Sequence, residues 1–162
     1  MANHVIIASL RALVELYKQL LQTSEKKTEA IKDYQLEPLQ KLLVTERKLI
    51  QQTEKAEKKR HQAVESWFDA NDFLTTDRTI TMMLSKLKDE PFKQQLEQLS
   101  TRLLELITEF KKQEHLNQEL LVQSLQFVHL SLNMMNPSMS HINYGKSKDS
   151  SLPKRSVFDS KA

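Results

Sequence analysis

Histidine is the one side chain here that ordinarily titrates near neutral pH, and none of the five histidines sits in a spacing that builds a reactive site. The positions three residues before His4, His61, His115, His129 and His141 hold Met1, Lys58, Lys112, Gln126 and Ser138. The Glu-x-x-His pair that helical bundles use for di-iron centres is therefore missing. No two histidines stand four apart, which removes the zinc-protease spacing as well. The chain has no cysteine, so disulfides, thiolate nucleophiles and thiolate metal ligands are excluded together, as suits a reducing compartment. Asp and Glu are plentiful, but they alternate with lysines along helical faces and form no desolvated acid–base pair. His129, set among apolar residues, is expected to be a partly buried structural or interface residue rather than a ligand. These absences predict a protein that is not an enzyme, with no cofactor, no metal and no small-molecule substrate.

The charge pattern narrows the partners. Lys146, Lys148, Lys154, Arg155 and Lys161 against Asp149 and Asp159 account for the whole net charge of +3, so the body before them is neutral. A nucleic-acid binder would carry its basic stripe on the folded part, and no nucleic-acid partner is expected. Arg11 breaks the short apolar start and no basic segment precedes it, unlike a secretory signal. No apolar run approaches the ~18 residues of a spanning helix. The expectation is a cytoplasmic protein.

The elements that would position any site are helices. A single glycine, Gly145, and abundant Leu, Gln, Lys and Glu are the composition of long helices or coiled coil. From Asn3, a candidate cap, Ile6, Leu10, Leu13, Tyr17, Leu20, Ser24, Lys27, Ile31 and Tyr34 follow 4-3-4-3 spacing, a heptad seam with two polar lapses. Tyr34 to Pro38 leaves room only for a tight reversal, so a second helix over about Glu37–Phe68 should return antiparallel. Its charged middle, Glu54 to Gln62, reads as a solvated face. Asp69 to Asp77 reads as a loop, followed by a short helix capped by Thr76 or Asp77 and carrying Ile80, Met83, Leu84 and Leu87. A third long helix starts near Glu90, with Pro91 in its first turn, and runs to Asn136. The predicted fold is all-α: a long antiparallel helical hairpin or coiled coil, a third long helix, one short connecting helix and a flexible C-terminal tail. The predicted division is a helical domain over 1–136 and a tail over 137–162, whose Ser- and Lys-rich composition suits a disordered segment.

The informative stretch is LLVQSLQFVHLSLNMMNP, Leu120 to Pro137. Leu120, Leu121, Val122, Leu125, Phe127, Val128, Leu130, Leu132, Met134 and Met135 surround a helix almost completely. One stripe can pack in a bundle core; the rest then faces elsewhere. Burying one such side chain is worth about 1.5–3 kcal/mol, so exposing several invites association. An amphipathic partner helix could pack on this surface. A self-assembling coiled-coil scaffold using the same seam is the alternative, although Ser24, Lys27, Gln113, Asn117 and Ser124 near seam positions disfavour long continuous assembly.

The order of LYKQLLQTSEKKTEAIK, the helical body, NQELLVQSLQFVHLSLNMMNP, NYGKSK and FDSKA resembles the FlgN family of flagellar export chaperones in its Bacillus form, over the whole chain. The resemblance implies a cytosolic, non-enzymatic type III export chaperone, monomeric or weakly homodimeric. Such a chaperone binds the C-terminal helical segments of the hook–filament junction proteins FlgK and FlgL, prevents their premature association and delivers them to the export gate. It implies a cargo surface on the late helix, carried by Leu116, Leu120, Leu121, Leu125, Phe127, Val128, Leu130, Leu132, Met134 and Met135. It also implies docking of Tyr144, in the Tyr-Gly pair, on the export-gate protein FlhA.

Overall fold

A chain whose one glycine is Gly145 must reverse its earlier helices without glycine. The computed structural model describes residues 2–135 and shows how this is done. Helix α1 spans Ala2–Lys32 and helix α2 spans Leu36–Ala70. At the end of α1 the Gln35 N–H donates to Ala30 O (2.9 Å) and the Tyr34 N–H to Ile31 O (3.3 Å). This is the Schellman pattern, which places the residue after the cap in the left-handed region. Tyr34 takes that place, at φ 54°. The end of α2 repeats the motif: Phe73 N–H to Phe68 O, Asp72 N–H to Asp69 O, and Asp72 at φ 55°. Here the apolar contact that accompanies such a cap is also made, by Phe73 stacked on Trp67 with centroids 5.6 Å apart and edge-on to Phe68.

The remaining elements are α3, Ile80–Lys86, and α4, Glu90–Met135. No strand occurs among the described residues, and the architecture is the all-α hairpin with a third long helix and a short connecting one. Pro38 and Pro91 both lie in first helical turns, where a missing N–H costs nothing. Two predicted caps are displaced. Asn3 lies inside α1, which already includes Ala2, so it does not cap. Thr79, not Thr76 or Asp77, caps α3, because its extended backbone lets its hydroxyl accept from the Met82 N–H (3.2 Å). Arg78, one residue earlier, ties this connection to α2 by reaching Glu65 (2.7 Å) and Asp69 (2.8 Å). The predicted boundary at 136/137 and the tail lie outside the described residues. The chain divides into two compact units, residues 1–120 and the part from Leu121 onward, and α4 contributes to both.

Within the first unit the helices alternate in direction. Ile6, Ile7 and Leu10 of α1 pack with Ala63, Val64, Trp67 and Phe68 from the far end of α2. Phe92 and Leu96 from the start of α4 join them, and Met83 of α3 closes the cluster. Further along, Tyr17 meets Phe110 edge-on at 6.1 Å, and Ser24 meets Asn117. So α4 runs parallel to α1, and α2 antiparallel to both. The seam read on α1 is the buried one at Ile6, Leu10, Leu13, Leu20 and Ile31.

The two polar lapses in that seam are buried too, and they are filled by hydrogen bonds. Lys27 Nζ lies 2.9 Å from both carboxylate oxygens of Glu114 on α4 and 2.6 Å from Glu46 Oε2 on α2. Asn117 Nδ2 donates to Ser24 O (2.9 Å) and Ser24 Oγ (3.0 Å). The Gln113 amide donates to the Thr28 hydroxyl. That hydroxyl has one proton and two acceptors in reach, Asn117 Oδ1 and Ser24 O.

Two carboxylates share one ammonium in this layer. Burial, followed by the neighbouring Glu114, pushes the Glu46 carboxyl above its usual range despite the opposing pull of Lys27. A carboxyl with a raised folded pKa favours the fold while protonated. That contribution is present at low pH and is lost as pH rises from the ordinary carboxylate range through the folded value. Glu46→Gln is therefore expected to raise the thermal midpoint at pH 7 by a few degrees and to lose that advantage below pH ~4, measured by circular dichroism melts across pH. The apolar cluster gives a second expectation. Phe68 is fully buried, so Phe68→Ala should cost about 3–5 kcal/mol in urea unfolding, whereas Leu132→Ala, at an exposed position, should stay within about 0.5 kcal/mol.

Candidate partner-binding helix

The C-terminal part of α4, Leu121–Met135, holds no Asp, Glu, Lys or Arg. Helical spacing places Leu121, Leu125, Val128, Leu132 and Met135 on one face at 4-3-4-3 intervals. Phe127, Leu130 and Met134 occupy the other side, with Val122 between the two stripes. All nine of these side chains are exposed, from 41 % at Leu121 to 82 % at Met135. The half-buried positions on this stretch are the small polar Ser124 and Ser131. His129 is exposed rather than partly buried as expected.

Leu116 and Leu120 belong to the first unit, where Leu116 is exposed and Leu120 half-buried. Of the sequence-predicted site, Tyr144 lies outside the described residues. No group of three His, Cys, Asp or Glu side chains among the described residues is arranged to hold a metal ion. No described helix is long and apolar enough to cross a membrane.

The first unit carries a feature that sequence reasoning missed. Leu13, Tyr17 and Leu20 of α1, Ile50 and Thr53 of α2, and Leu103, Ile107 and Phe110 of α4 enclose an open apolar groove of about 760 Å³. The charged middle of α2, read as a solvated face, supplies one rim through Glu54, Glu57, Lys58 and His61. Burial, then Glu57, pushes the Tyr17 phenol further above its usual value, so it stays neutral. The available signal was Ile107 and Phe110 continuing the apolar face of Leu96 and Leu103, but the width of the gap to α2 depends on packing between distant segments.

The arrangement presents apolar surface on the late part of α4 and in the groove of the first unit. The family model described as FlgN protein matches residues 1–151. A curated relative, "Uncharacterized protein YvyG" of Bacillus subtilis (strain 168), is 33% identical in an alignment covering all of both chains. No solved structure gives a significant match. The chain belongs to the FlgN family, a family of flagellar export chaperones and not of enzymes.

Proposed function

We propose that the protein is a cytoplasmic type III export chaperone for the hook–filament junction proteins FlgK and FlgL. It holds their helical C-terminal segments on the late part of α4, prevents their premature association, and delivers them to the export gate. The observation that carries this reading is the exposed, uncharged helix Leu121–Met135. An amphipathic cargo helix laid along Leu121, Leu125, Val128 and Leu132 would take several large side chains out of water at about 1.5–3 kcal/mol each. Leu and Met adapt their shapes, which suits a surface serving two cargoes of different sequence. In this reading the helical chaperone domain spans 1–136, and the remaining 137–162 would bring Tyr144 to FlhA.

The 4-3-4-3 stripe also favours a second reading, a coiled-coil scaffold that pairs this helix with its own copy. Calorimetric titration with a peptide from the C-terminal end of FlgK or FlgL separates the two. Saturable binding is expected, weakened at least tenfold by Leu125→Ser with Val128→Ser while the helical signal is retained. A folded wild-type chain that binds neither peptide, and sediments as a stable oligomer at all concentrations, would replace the chaperone by the scaffold. For the tail, Tyr144→Ala is expected to leave peptide affinity unchanged while removing cargo-loaded retention on immobilised FlhA cytosolic domain. Equal retention of both forms would take Tyr144 out of gate docking.

A further inference from the structure

Helix α4 changes the way it is held part-way along the first unit. Phe92 and Leu96 sit in the core cluster, Leu106 is buried, and Phe110 packs edge-on against Tyr17. From Gln113 to Asn117 the contacts that join it to α1 are polar: Gln113 to Thr28, Glu114 to Lys27, and Asn117 to Ser24 and Thr28. Hydrogen bonds can be handed to water one for one, while buried apolar contacts cannot.

The α1 side of this layer is arranged so that little is orphaned when α4 leaves. Lys27 would lose Glu114 but keep Glu46, which belongs to α2. The Thr28 hydroxyl would lose Asn117 but keep Ser24 O, 3.0 Å away on its own helix. Departure of Glu114 would also remove the second carboxylate that crowds Glu46. On the α4 side, Glu114 and Gln113 are already partly exposed. Asn117, buried to 2 %, would regain water.

We propose that this polar layer is a latch: residues 113–120 of α4 unseat from the hairpin and reseat as a local unit, while the apolar layers from Phe92 to Phe110 stay packed. The latch divides a seam of strong apolar contacts from one of replaceable polar contacts, and such divisions bound the segments that open below the global unfolding free energy. Unseating frees two turns of α4, Gln113 to Leu120, for a partner helix. The latch holds whatever the identity of that partner.

Native-state amide hydrogen exchange on the full chain tests it, without cargo. Amides of residues 113–120 are expected to exchange at least tenfold faster than those of 96–106, with the step between Phe110 and Gln113. Asn117→Ala, which removes the bonds to Ser24, should raise exchange in 113–120 at least threefold and leave 96–106 unchanged. Thr28→Val with Asn117→Leu, which replaces the Thr28–Asn117 pair by an apolar contact, should slow 113–120 at least tenfold and move the step toward Leu121. Uniform protection from Leu96 to Glu119 in the wild-type protein would overturn the latch. So would a step that neither variant moves, since that step would be simple fraying from the helix end. If the double variant fails to fold, the wild-type profile and Asn117→Ala decide the matter.

Discussion

One ammonium sets the register of three helices. Lys27 sits between Glu46 and Glu114, and Ser24, Thr28, Gln113 and Asn117 complete the layer around it. An apolar seam alone tolerates slippage, because one leucine can replace another when a helix shifts by a turn or a heptad. A buried Lys and a buried Asn do not allow it, since each alternative register leaves a charge or an amide without its partner. The stability gained from such a layer is small and its specificity is high, as for a single polar residue at a coiled-coil seam. Phe92, Leu96 and Leu106 add buried apolar area in the same register.

The connections obey a second constraint, the near absence of glycine. Both long helices of the hairpin end in Schellman caps whose left-handed position is filled by Tyr34 and Asp72. A non-glycine residue there costs roughly 1 kcal/mol. At Asp72 the following Phe73 offsets that cost by stacking on Trp67, and the same stack carries the chain toward α3. Turn chemistry and core packing are thus one feature at this end of the unit, since Phe68 closes the cap with its carbonyl and the core with its ring.

The parts legible in the sequence were those decided by local periodicity. The seam of α1, the extents of the long helices and the short α3 follow from spacing that any single helix displays. The exposure of the late helix was legible for a related reason: residues spread around all sides cannot all face one neighbour. The parts that were not legible depend on segments far apart in the chain. Ser24 and Lys27 read as defects because their partners, Glu114 and Asn117, lie on the other side of α2 in sequence. The charged run of α2 read as plain solvated surface because the groove it borders appears only when α4 is in place. The capping role fell to Thr79, three residues past Thr76 and two past Asp77, where the extended backbone lets the hydroxyl accept from the Met82 N–H.

Membership of a flagellar export chaperone family gives the exposed helix a physical logic. An exposed stretch of helix must be polar, paired or sticky. Here it is uncharged and apolar on both sides, a composition that favours neither solubility nor long-range steering. Association of an uncharged apolar surface depends on area and shape rather than on charge. The first unit has its own apolar cluster, built from α1, α2, α3 and the start of α4. Within the first unit the apolar cluster and the polar layer thus divide the work, the cluster supplying buried area and the layer supplying register.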